Sequence, residues 1–156
     1  MRYLIVLTFM LLVNPIWGQT IVLNPTFRSP NTFSFSSLTA AGESPANITD
    51  TYQSVRYSGT SQYTSTVMVA LSSGTIPEGI EIYVTAADGK FMDWIRGYGI
   101  SSGMIKLSNT PTSIIKTIFS TTSVTRLITL SINITNFALI HPNTNPLTLS
   151  YTISAQ

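Results

Sequence analysis

Ile128-Thr129-Leu130-Ser131-Ile132-Asn133-Ile134-Thr135 alternates strictly between apolar and polar residues. Successive side chains of a β-strand point to opposite faces, so this stretch reads as a strand with one dry face and one wet face. The same period recurs elsewhere. Leu147, Leu149, Tyr151 and Ile153 alternate with Thr148, Ser150, Thr152 and Ser154. Val67, Val69 and Leu71 alternate with Thr66, Met68 and Ala70, and Ile80, Ile82 and Val84 with Glu81, Tyr83 and Thr85. Phe33 and Phe35 repeat it against Thr32, Ser34 and Ser36. Shorter strand candidates are Thr20 to Leu23, Tyr52 to Tyr57, Met104 to Leu107 and Ser113 to Phe119. In the last, Ile114 and Ile115 are adjacent, and alternation alone does not say which of them faces inward.

Turn signals separate these runs: Asn24-Pro25, Ser29-Pro30-Asn31, Ser72-Ser73-Gly74, Ala87-Asp88-Gly89, Asn109-Thr110-Pro111 and His141 to Pro146. Asp88-Gly89 suits a tight hairpin turn. Helical spacing is confined to one turn near Phe91 to Arg96. Short strands at near-regular intervals predict an all-β fold, a single antiparallel β-sandwich of the immunoglobulin-like, Greek-key kind. A closed barrel is the competing architecture.

The N-terminus has a different character. Met1-Arg2-Tyr3 carries a positive charge, Leu4 to Val13 is almost wholly apolar, and Asn14-Pro15-Ile16-Trp17-Gly18 breaks the run. This order is that of a secretory signal peptide. The apolar run is about half of what a membrane-crossing helix needs. The expected organisation is a signal-peptide helix over residues 1–18, then one sandwich domain over 19–156, with no membrane span in the mature chain. The expected location is the periplasm, the cell surface or the extracellular medium.

Composition narrows the partners. Charged residues make up 9% of the chain, against about 25% in a typical soluble domain. Removing Arg2 with the leader takes eight basic residues to seven, against six acidic ones. That near-balance offers no electrostatic footprint for nucleic acid. There is no cysteine, which excludes disulfides, thiol chemistry and zinc–thiolate sites. Two sequons, Asn47-Ile48-Thr49 and Asn133-Ile134-Thr135, match the N-glycosylation pattern, but Asn and Thr are abundant here.

Candidate chemistry is sparse. His141 is the only histidine and sits in a turn, His141-Pro142-Asn143; a triad would need a carboxylate and a hydroxyl brought to that one ring. Glu78 and Glu81 differ in strand parity, so a regular strand sends them to opposite faces. Asp88, Lys90 and Asp93 supply too few oxygens for calcium. No catalytic residue, metal or cofactor is expected. The densest local feature is Phe91-Met92-Asp93-Trp94-Ile95-Arg96-Gly97-Tyr98. Trp94 and Tyr98, with Arg96 and Tyr83, form a candidate ligand or interface platform, because aromatics stack on sugars and favour interfaces. Against this stands a core role, in which Trp94 plugs one end of the sandwich and Tyr98 covers it; that role carries the greater weight.

The closing segment Leu147 to Gln156 and the middle segment Gly103 to Ile115 resemble small secreted bacterial domains of the fimbrial-subunit, pilin or adhesin type. The resemblance implies a non-enzymatic structural or adhesive surface protein whose partners are other protein subunits, including its own copies, or surface glycans. It also makes Thr20, Ile21, Val22 and Leu23 a candidate donor or edge strand, since chaperone-assembled pilins complete one another's sheets with such segments. It assigns no site residue beyond that strand. A carbohydrate-binding module using Trp94 and Tyr98 is the alternative.

Overall fold

The computed structural model describes residues 20–25, 48–60, 63–89, 92–139 and 147–155. Nine strands form two antiparallel sheets: β1 (Thr20–Pro25), β2 (Ile48–Ser58), β3 (Ser65–Ser73), β4 (Ile80–Ala86), β5 (Tyr98–Ser101), β6 (Met104–Lys106), β7 (Thr112–Ile118), β8 (Val124–Ile134) and β9 (Thr148–Ala155). The first sheet runs β1-β2-β8-β4-β6 and the second β5-β7-β3-β9. One 3-10 turn, Phe137–Leu139, follows β8. The chain is all-β in its described residues, and the two sheets stack as a sandwich.

Strand alternation builds the interior. On β8, Ile128, Leu130 and Ile132 are buried and Thr125 and Leu127 are exposed. They meet Val55 from β2 and Ile82, Val84 and Ala86 from β4 on their own sheet, and Val67, Val69 and Leu71 of β3 across the gap. The two adjacent isoleucines of β7 both point inward. The ladder to β3 explains this. Val67 pairs with Ile115 but Met68 pairs with Ser113, so Ile114 is an inserted residue. A second insertion lies between the Ser65–Ile118 and Val67–Ile115 pairs, where Thr117 adopts a φ of 59°. Each bulge shifts the side-chain parity by one. Ile114, Ile115 and Ile118 thereby all reach the core, which strict alternation forbids.

The connections differ from those of a hairpin meander. From β3 onward, every strand lies in the opposite sheet from the one before it. The Asp88-Gly89 turn, expected to close a hairpin, therefore lies in a crossover from β4 in one sheet to β5 in the other. β5 and β6 are edge strands of different sheets, and Ser102-Gly103 alone carries the chain between them. At the far side of the sandwich the edges are β1 and β9, which lie beside each other. β1 pairs with β2 from Thr20–Ser58 to Pro25–Gln53. Three connections meet at one end through backbone bonds: the Gly59 amide donates to Ser120 O at 2.8 Å, and the Phe119 and Ser120 amides donate to Gly97 O.

The leader residues 1–18, Phe33, Phe35, His141 and Asn47 lie outside the described residues. Among those described, no helix is long and apolar enough to cross a membrane.

Tyr151 of β9 reaches across the interior and donates a hydrogen bond to Gln53 Oε1 of the facing sheet at 3.3 Å. Burial pushes its phenol from 10.0 up to about 12. Such a group is neutral in both states below pH 10. Between about 10 and 12 only the unfolded chain releases the proton, so stability falls as pH rises through that window. Tyr57 shifts upward too, also chiefly by burial, so the fall has two contributors of the same sign. Urea unfolding from pH 9 to 11.5 should show a shallower alkaline loss in Tyr151→Phe than in the native chain. Equal slopes would refute this origin.

Candidate functional site: the turn end and its buried arginine

Arg126 occupies the same β8 parity as Ile128, Leu130 and Ile132 and is correspondingly buried. A cation taken into a sandwich interior costs several kcal/mol unless it is paired and its protons are satisfied. Here it is both. Its Nη2 lies 2.9 Å from Asp93 Oδ2, with only 8% of the arginine side chain and 15% of the aspartate exposed. Nη2 also donates to the Gly99 carbonyl at 3.3 Å, and Nε to the Tyr57 hydroxyl at 3.4 Å. Tyr57 is fully buried and donates in turn to the Tyr98 carbonyl at 2.7 Å. Burial raises its phenol above the ordinary tyrosine range, and the Arg126 bond offsets part of the shift. The cluster ties β2, β8 and β5 to the crossover segment. Gly89 belongs to it as well: a Cβ there would strike both terminal guanidinium nitrogens and Asp93 Oδ2, so a larger residue would have to displace the ion pair.

Asp93 is the inward member of a tight turn over residues 92–97. The Arg96 amide donates to Met92 O at 3.2 Å, Gly97 to Trp94 O at 3.2 Å and Tyr98 to Asp93 O at 2.8 Å. The last two bonds, with Gly97 at φ +72°, close the turn as a Schellman motif. Phe119 and Ser120 then donate their amides to the Gly97 carbonyl at 3.0 and 3.1 Å. The Phe119 ring lies over Gly97, where a Cβ would come within 2.5 Å of Cδ2. The turn is thus held by an ion pair from inside and by backbone bonds from β7's end.

With Asp93 turned in, its neighbours turn out. Trp94 is 54% exposed, Ile95 50% and Met92 46%, with Phe119 at 40%. Arg96 is exposed beside them. Trp94 does not plug the core, because the inward position in this turn belongs to Asp93. Tyr98 is half-buried on β5 next to the turn. Tyr83 stands apart, on the outer face of β4, where its hydroxyl donates to Glu81 Oε2 at 2.8 Å. Lys106 Nζ sits 2.6 Å from the other oxygen of Glu81. The Lys106 bond is the main cause holding Glu81 below the usual carboxylate range, and Lys106 is raised in return.

Arg126 and its partnership with Asp93 are the features that sequence reasoning missed. The signal was present: Arg126 falls on the apolar parity of β8, and a charged residue there demands a partner. A Gly-x-Ser-x-Gly elbow is not expected from the sequence, although the residue pattern itself is present. Gly99-Ile100-Ser101-Ser102-Gly103 spells Gly-x-Ser-x-Gly, yet a nucleophile elbow requires a strand-to-helix turn. Here the segment spans the β5–β6 corner, and Ser101 Oγ donates to the Ala86 carbonyl at 2.8 Å. Among the described residues, no three His, Cys, Asp or Glu side chains gather where a metal could sit.

Removing one member of a buried pair strands the other, which typically costs about 3–5 kcal/mol. Arg126→Ala should therefore destabilise the protein by that amount in chemical denaturation. Arg126→Met combined with Asp93→Asn should recover a substantial part, because neither charge is then left buried. A loss below about 0.5 kcal/mol for Arg126→Ala, the size of an ordinary surface change, would show that the pair does not hold the turn.

No family model, curated protein or solved structure matches the chain, so the functional reading of this end rests on its own geometry.

Proposed function

We propose that the chain is an exported, non-enzymatic structural or adhesive cell-surface protein, a pilin-like subunit built as an immunoglobulin-like Greek-key sandwich behind a signal-peptide helix. The observation that carries the adhesive part is the half-exposed trio Met92, Trp94 and Ile95 on a turn fixed by the Asp93–Arg126 pair. Large apolar side chains cost solubility when held in water, and a contiguous exposed patch marks an interaction site. Rigid anchoring reduces the ordering entropy that binding would otherwise oppose. The ionisable groups near it support the same reading, since Arg126, Asp93 and Tyr57 satisfy one another inside the fold.

Beads coated with the protein should be retained on cell monolayers, and Trp94→Ala with Ile95→Ala should lower the retained number by about fivefold or more. Retention no better than that of albumin-coated beads would sink the adhesive reading.

The exposure of Trp94 also favours a second reading, a carbohydrate-binding module in which Trp94 and Tyr98 stack on sugar rings. Tryptophan fluorescence titrated with a broad glycan panel decides it. A saturable change abolished by Trp94→Ala supports sugar binding; a flat response across the panel eliminates it.

A further inference from the structure

We propose that the turn over residues 92–97 seats in the interfacial layer of an anionic lipid surface, with Trp94, Ile95 and Met92 entering the acyl boundary and Arg96 meeting headgroup phosphates. The inference rests on the adhesive reading and names its partner class.

Three observations select lipid over the other occupants. The first is area. Met92, Trp94, Ile95 and Phe119 at their observed exposures present on the order of 400 Å² of apolar surface. A stable protein–protein interface takes about 800 Å² from each partner, so a second copy docked on this tip alone is undersized. Interfacial anchoring needs only a few side chains buried to a shallow depth.

The second is chemistry. Ile95 and Met92 are non-aromatic apolar residues that flank the Trp94 indole. A sugar site requires flat aromatic faces with directed polar groups around them, whereas an indole among non-aromatic apolar chains is the composition of a bilayer interface.

The third is charge. Asp93, the acidic residue of the turn, spends its carboxylate inward on Arg126. Arg96 is left as the outward charge of residues 92–97, and among the described residues it has no ion-pair partner. Lys116, exposed on β7 opposite Ile100, adds a second cation to the neighbouring outer face. Asp88 is the exposed acid of the approaching limb. An apolar tip whose own outward charge is the Arg96 guanidinium complements phosphate headgroups.

The test uses Trp17→Phe in the full chain, which leaves Trp94 as the sole tryptophan. Vesicles of phosphatidylglycerol and phosphatidylcholine should shift Trp94 emission to the blue, and lipids brominated along the acyl chain should quench it. Met92→Ser with Ile95→Ser should weaken vesicle binding by about tenfold or more. Arg96→Gln should weaken it by about fivefold, and only where anionic lipid is present. Leu139→Ser, which removes an exposed apolar residue at the opposite end, should change nothing. Met92, Ile95, Arg96 and Leu139 are exposed, so unchanged urea midpoints serve as the folding control.

Unshifted and unquenched Trp94 overturns the proposal. So does a blue shift that appears without vesicles as protein concentration rises, which would place a second copy on the turn. Bead retention with no vesicle binding refutes the lipid partner and leaves the adhesive reading standing; vesicle binding with no bead retention does the reverse.

Discussion

A guanidinium on the dry face of a β-sheet constrains everything around it. Arg126 projects from the same side of β8 as Ile128 and Leu130, and the low-dielectric interior cannot leave its protons unmet. Its partners come from far apart in the sequence: Tyr57 from β2, Gly99 from β5, Asp93 from the crossover between β4 and β5. Their convergence fixes how that crossover lies against the sandwich end. Gly89 follows as a steric consequence, because the guanidinium occupies the volume its side chain would need.

The crossover topology gives this cluster its location. Chains that meander within one sheet leave short hairpin turns at the ends. Here successive strands from β2 onward change sheets, so each connection must span the thickness of the sandwich, about 10 Å. Loops of that kind lie across the mouth of the core. The stretches 87–89 and 92–97 do so where β8 begins, and the first inward residue after Val124 is the arginine. The ion pair therefore seals the end of the hydrophobic core with a polar network rather than a large apolar plug. Loops held on a rigid scaffold are where binding surfaces are commonly built.

Period-two alternation made the strands β3, β4, β8 and β9 legible, most cleanly in β8, where buried Ile128, Leu130 and Ile132 alternate with more exposed neighbours, whereas on β3 Thr66 and Ala70 of the other parity are buried as well. It could not resolve Ile114 and Ile115, since bulges are set by the pairing partner, and the partner is chosen by the tertiary fold. The hairpin expected at Asp88-Gly89 failed for a related reason: local turn chemistry is identical whether the next strand joins the same sheet or the opposite one. The cluster from Met92 to Tyr98 was legible as a feature but not in its orientation. An indole beside an aspartate reads as the natural core residue, and only a buried cation waiting below the turn reverses that order. Arg126 carried the missing information in its parity.

The reversal matters for what the turn presents. Six residues closed by a Schellman motif have room for one inward side chain, and whichever residue takes that place decides what remains outside. An apolar residue there would leave Asp93 facing solvent and dilute the surface with negative charge. Asp93 takes it instead, since leaving the buried Arg126 unpaired would cost about 3–5 kcal/mol, more than the roughly 1.5–3 kcal/mol that burial of one more apolar side chain returns. The outward surface is then Met92, Trp94, Ile95 and Arg96, apolar with a single positive charge. The same salt bridge that closes the core thus determines both the greasiness and the sign of the face above it.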